Sequence, residues 1–226
     1  MKKFFLYSSL LALMMSSRGA AQTAEEIMAS VRQVAVLQGK QTLQGQIRKG
    51  SRRIPLTLFL REKNIQFALN GGAERFHLRL NEDDQQLFAI TGNKTHLFPA
   101  SKIGQSIGGT DVSYEDLALK FLYWKNPRIV GRQRLNGQDC WRLHVANPDQ
   151  AGRYREVSVW VTMKQRALMR VVGYGPRPEA IPLKQFEITG VMKVNDLYTV
   201  KSMKVTSFNK ERRVDGITYL EFDKPQ

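Results

Sequence analysis

Over most of the chain apolar and polar residues alternate, the period of two that sends successive side chains to opposite faces of a strand. Ile54, Leu56, Leu58 and Leu60 alternate with Pro55, Thr57 and Phe59, and Ile65, Phe67 and Leu69 follow in the same style. Asn70-Gly71-Gly72 is a hairpin turn signal, and beyond it Phe76, Leu78 and Leu80 alternate with His77 and Arg79. Residues 87–91 form another candidate strand. In the second half, 128–135 and 140–145 flank the strong hairpin signal Asn136-Gly137. Val157, Val159 and Val161 then alternate with Ser158, Trp160 and Thr162, and 168–174, 185–194, 198–208 and 216–222 complete the set.

Two segments carry the helical period instead. In 23–38, Thr23 can cap, Glu25 and Glu26 sit in the first turn where the helix dipole favours acids, and Ile27, Val31 and Val34 share a face. Gly39 ends that helix. In 114–124, Ser113 caps, Asp116 stands in the capping-box position, and Tyr114, Leu117, Phe121 and Trp124 share a face until Asn126-Pro127 stops it. About ten strands in hairpin order with two main helices predict a mainly β, α+β domain on an antiparallel sheet. A sheet of that size curls or splits into two layers.

The first 21 residues are set apart from this domain. Lys2 and Lys3 precede a mostly apolar run, Phe4 to Met15, and Gly19-Ala20-Ala21 supplies small residues at a cleavage site. This is the pattern of a secretory signal peptide, with a lysine-rich start typical of bacteria, so residues 22–226 are expected to be one soluble periplasmic domain. No cysteine follows the apolar run closely, so a lipid-modified start is not expected. Cys140 is the sole cysteine, which excludes an intramolecular disulfide, so an apolar core must hold the fold. The net charge of +15, three units of it from Lys2, Lys3 and Arg18, favours anionic partners.

Catalytic patterns are not found. His77, His96 and His144 are far apart and lack zinc-ligand spacing; they read as strand-face residues. Cys140 reads as a buried small residue, because a nucleophile needs exposure and a base. Gly104 to Gly109 lacks the lysine of a phosphate-binding loop, and there is no G-x-S-x-G elbow. Asp83-Asp84 reads as a turn and Glu115-Asp116 as the acidic first turn of a helix. The basic clusters Arg52-Arg53 and Lys210 to Arg213 contain no aromatic residue, which argues against single-stranded nucleic acid as a partner. No enzyme activity and no cofactor or metal is expected.

The informative feature is surplus apolar surface. Ile54, Leu56, Leu58, Leu60, Ile65, Phe67, Leu69, Phe76 and Leu78 are expected to line a hydrophobic cavity, with Trp160 from the second half. Ile27, Val31, Val34, Tyr114, Leu117, Phe121 and Trp124 are expected to form a lid over it. A filled β core explains the same pattern, and would make the protein a non-transporting envelope binding or scaffold protein.

The segment "GGTDVSYEDLA", with Gly109, Asp111, Ser113, Tyr114, Glu115 and Asp116, resembles a motif of the outer membrane lipoprotein-sorting protein family, relatives of the periplasmic carrier LolA. "RLNGQDCWRLHVANPD", "VSVWVTMKQRALMRVVGY", "KVNDLYTVKSMKV" and "ITYLEFD" are similar to later strands of that family, so the likeness runs over roughly residues 24–223. Val112 stands where the family has Phe, and Thr162-Met163 where it has Asp after V-W-V. The resemblance implies an incomplete β-barrel with helices as a lid over the cavity. It implies a monomeric soluble carrier or chaperone for acylated lipoproteins or lipids, bound for the outer membrane. An inner-membrane transporter and an outer-membrane receptor are then its candidate partners. Arg48, Arg52 and Arg53 are candidate rim cations for acidic headgroups.

Overall fold

The computed structural model describes residues 22–36, 40–81, 84–149, 151–176, 181–194 and 197–225, with the side chains of 34–36 and 197 excepted. The signal segment, Gly39 and the side chain of Val34 therefore lie outside the described residues. One helix, α1 (Ala24–Val36), opens the fold. Its start is a reciprocal box: the Glu26 amide donates to Thr23 Oγ1 (3.2 Å) and the Thr23 amide to the Glu26 carboxylate (2.9 Å).

Six strands follow: β1 (Gln41–Lys49), β2 (Arg52–Arg61), β3 (Asn64–Leu69), β4 (Glu74–Leu80), β5 (Gln85–Thr91) and β6 (Lys94–Leu97). Residues 98–127 then run without a strand, carrying α2 (Ala100–Ile103) and α3 (Tyr114–Ala118). Seven more strands complete the chain: β7 (Arg128–Leu135), β8 (Gln138–Ala146), β9 (Glu156–Thr162), β10 (Leu168–Tyr174), β11 (Pro182–Val194), β12 (Leu197–Phe208) and β13 (Val214–Phe222).

All thirteen join one antiparallel sheet in the order β6-β5-β4-β3-β2-β1-β13-β12-β11-β10-β9-β8-β7. It is two meanders sewn together by the pairing of β1 with β13, Ile47 opposite Leu220. The sheet curves but does not close, since β6 and β7 remain its two edges. The segment 98–127 thus connects one free edge to the other across the concave face, and is called the strap below.

Sequence periodicity found most of these strands and missed two. The missed β1 has little apolar alternation beyond Leu43 and Ile47, because the inward position between them is Gly45. A Cβ there would run into the β13 backbone at Glu221 and Phe222, so only glycine lets these two strands close the seam between the meanders. The missed β6 is four residues long and exposed throughout.

The helix predicted over 114–124 is also broken. Leu119 adopts a left-handed conformation (φ 52°, ψ 34°), and a 3-10 turn, Lys120–Tyr123, takes over. The break sends the two halves into different clusters: Tyr114 and Ala118 pack with β1–β5 and β11–β13, whereas Phe121, Leu122 and Trp124 pack with α1 and β8–β10. A straight helix would present its apolar side chains along one line and reach only one of them.

Candidate functional site

The buried apolar side chains of the concave face fall into two clusters, one on β1–β5 and β11–β13 and one on β8–β10. Of the predicted cavity residues, Ile54, Leu56, Leu60, Phe67, Leu69, Phe76 and Leu78 are buried together in the first, with Leu58 and Ile65 half-buried against them. Phe67 stacks on Phe76 at 4.7 Å, and Tyr114 of the strap meets Phe76 edge-on at 5.4 Å. Trp160 is not part of this face. Val157, Val159 and Val161 point inward, so the period of two turns Trp160 outward, where it clusters with Leu135, Cys140 and Val172. There it lies within 5.3 and 5.8 Å of the Arg142 and Arg170 guanidinium groups and donates Nε1–H to Gln133 (2.8 Å).

Two coverings lie over the concave face. Ile27, Met28 and Val31 of α1 pack with Phe121, Trp124 and the valines of β9, and Arg32 donates to the Leu122 carbonyl (2.6 Å). The strap contributes Ile107, Val112, Tyr114 and Ala118 as buried groups and Leu117 as a partly buried one. Ile27, Val31, Tyr114, Phe121 and Trp124 are buried and Leu117 partly so, but the break at Leu119 places Tyr114 and Leu117 in one cluster and Phe121 and Trp124, with Ile27 and Val31, in the other.

The polar residues of the family-like motif fasten the strap. Asp111 receives Lys49 Nζ (2.9 Å), Ser207 Oγ (2.8 Å) and Thr218 Oγ1 (2.8 Å), which ties the strap to β1, β12 and β13 at once. Burial opposes ionisation of Asp111, but these three donors outweigh it and hold the carboxyl below its ordinary range. Ser113 and Asp116 form the capping box of α3: the Ser113 amide donates to Asp116 Oδ2 (2.7 Å) and the Asp116 amide to Ser113 Oγ (3.4 Å).

Asp116 also accepts Lys184 Nζ from β11 (2.5 Å) and the Tyr154 hydroxyl (2.6 Å). The Lys184–Asp116 side chains are 5% and 1% exposed, which makes this a buried ion pair completed by neutral donors. Burial and the neighbouring Asp116 push the Tyr154 hydroxyl well above its usual range. Glu115 accepts the Arg153 amide (3.2 and 3.1 Å), and its burial raises the carboxyl's affinity for a proton. Tyr114 donates to Glu74 on β4. Gly109, at φ +74°, sits where a side chain would be strained and would press on Arg52.

The expected rim cations are committed inside the fold to differing degrees. Arg48 pairs with Glu221 (2.5 Å) and lies over the Tyr219 ring, and Arg52 donates to the Gly108 carbonyl in the strap. Arg53 is exposed and reaches Gln46 at 3.4 Å. Cys140 is fully buried, and burial raises its thiol above the ordinary value. His144 approaches Glu156 (3.3 Å) on β9, consistent with a strand-face role.

A cavity of about 20 Å³, enough for a single water, lies between the strap and β9–β11 and touches Asp116, Phe121, Trp124, Tyr154 and Phe186. A more open cleft of about 260 Å³ lies between α1 and the end of the strap, lined by Glu25, Met28, Arg32, Tyr123, Trp124 and Pro127 among others. Sequence patterning did not single out this cleft, because Arg32, Tyr123 and Pro127 come together only through the break at Leu119.

The overall fold is shared with solved structures of low sequence identity. A LolA superfamily protein from Nitrosomonas europaea is 12% identical, with 90% of this chain and 93% of that one covered at a TM-score of 0.64. A structure described as a candidate outer membrane lipoprotein-sorting protein domain from Vibrio parahaemolyticus is 15% identical, covering 87% and 89%, at 0.65. A DUF1329 family protein from Desulfovibrio piger is 15% identical, covering 88% and 89%, at 0.67. No curated protein matches the sequence. The model of a family described as an uncharacterized protein matches residues 74–225, and the chain belongs to that family.

Proposed function

We propose that this chain is a periplasmic carrier that shelters the acyl chains of a lipoprotein or lipid against the concave face, for delivery to the outer membrane. The observation that carries this reading is the covering of that face. A second sheet would make a permanent core. Here the cover is one helix and one strap, and among the described residues only the strap is pinned by buried side-chain polar contacts. α1 is the movable part, and the cleft beside it is the entrance.

The magnitudes allow exchange. Ile27, Met28 and Val31 gain about 1.5–3 kcal/mol each on burial. An acyl chain gains about 0.8 kcal/mol per CH₂, so a long chain releases as much as the helix gives up. The buried Trp124 indole N–H has no acceptor among the described residues, and an acyl ester carbonyl would supply one.

A specific observation favours a second reading. Between the strap and β9–β11 the cavity is only about 20 Å³, too small for an acyl chain, and a face packed this closely throughout would make the protein a binding or scaffold component of the envelope. The deciding experiment is organic extraction of the protein, purified from a bacterial periplasm without detergent, followed by lipid mass spectrometry. A near-stoichiometric acylated species, reduced in a folded Leu58→Glu variant, supports the carrier. A lipid-free protein that also leaves an apolar fluorescent dye unbound supports the filled core.

A further inference from the structure

The outer face of the β4–β6 end carries a patch that the carrier reading does not use. Phe76, Leu78 and Leu80 of β4 face the core, so Arg75, His77 and Arg79 face out. The register sets Phe88 opposite His77, Ile90 opposite Arg75, and Leu97 opposite Phe88. His77 stacks on Phe88 at 4.9 Å, and the Arg79 guanidinium lies 5.0 Å over the same ring. Leu97, on the edge strand, is 67% exposed. An apolar row thus reaches the free edge of the sheet, with Arg75 and Arg79 beside it.

These cations have no carboxylate to answer them: among the described residues, Arg75 and Arg79 form no ion pair. The Arg75 guanidinium donates to the Gly92 carbonyl (2.7 Å), which fixes its position and leaves its charge. Burial and Arg79 lower the proton affinity of His77, so the ring packs as a neutral platform at neutral pH.

We propose that this face docks on an anionic lipid bilayer. Exposed Leu97, with Phe88 and Ile90 behind it, supplies a shallow apolar contact, and Arg75 and Arg79 supply attraction to acidic headgroups. A bilayer surface suits the patch better than a protein partner. The apolar row lies along a convex face and its exposed end is a four-residue edge strand, neither of which forms a pocket for an anchoring side chain.

The test is flotation of the purified chain with vesicles of phosphatidylcholine alone or with added phosphatidylglycerol. Parent protein is expected to float with the anionic vesicles and to be released by salt. Leu97→Glu and the Arg75→Gln/Arg79→Gln pair are each expected to lower the bound fraction about tenfold. Thermal melting and apolar-dye uptake of these outer-face variants should match the parent, which separates docking from cargo binding. Unchanged flotation of both variants would overturn the proposal, as would equal flotation with neutral vesicles. Retention on poly-glutamate through the same residues, with both vesicles ignored, would overturn it in favour of an acidic protein partner.

Discussion

Asp111 and Glu115 lie on the same strap and respond to acid with opposite sign. The folded-state pKa of Asp111 is depressed below the ordinary 3.8 by Lys49, Thr218 and Ser207, against the cost of burial. Above 3.8 its contribution to stability is fully present, and it disappears as pH falls through the lower folded value. Asp111→Asn should therefore lower the urea midpoint at neutral pH and flatten the acid limb of the stability curve. Glu115 is raised above 4.5, chiefly by burial. From that value upward the folded state holds the proton better than the unfolded one, so stability declines as pH rises to the folded pKa. Glu115→Gln should remove that decline, seen as a loss of slope in urea midpoints measured upward from pH 4.5.

The buried pair at Asp116 adds a prediction of larger size. Lys184→Ala leaves a carboxylate enclosed with only the Tyr154 hydroxyl and the Ser113 amide to satisfy it, and should cost about 3–5 kcal/mol in urea denaturation. Asp116→Asn combined with Lys184→Met removes both charges and should cost less than the two single changes added together. The sequence signalled part of this arrangement. Ser113 with Asp116 three residues on was legible as a cap, because capping is local. Lys184 and Tyr154 were not, since a buried lysine looks like any other strand lysine until its partner arrives from across the sheet.

At the scale of elements, the strap depends on its backbone as much as on its side chains. Gly109→Ala forces a left-handed residue that alanine occupies at a cost of about 1–2 kcal/mol. It also crowds the Arg52 contact that fastens the strap to β2. The expected result is a lowered melting temperature with the far-ultraviolet spectrum of the sheet retained. Which strands exist was readable wherever an inward apolar row recurs, as at Ile54 to Leu60 or Val157 to Val161. It failed at Gly45, where close approach replaces the apolar residue. The face of Trp160 was legible from its valine neighbours; only its size pointed to the interior. Arg142 and Arg170, which give it an outer seat, come from neighbouring strands and are invisible to local pattern.

At the scale of the whole molecule, the question is whether the concave face opens. The sheet and strap are joined by Asp111, Asp116 and Tyr114, whereas the described side chains of α1 contribute one hydrogen bond to the remainder of the fold, Arg32 to the Leu122 carbonyl. α1 should therefore be the first element to detach. Ile27→Ala, at a fully buried site, should destabilise the protein by about 2–5 kcal/mol as the cavity term adds to lost burial. If detachment of α1 admits cargo, the same change should speed uptake of an apolar dye in stopped-flow fluorescence, because the population with the helix raised increases as its docking weakens. Amide exchange should then show the α1 amides opening more readily than those of β9–β11, and the difference should shrink when dye is bound. A variant that is destabilised yet takes up dye no faster, with α1 and sheet amides exchanging together, would mean that the helix is part of one cooperative core and that the face it covers does not open for cargo.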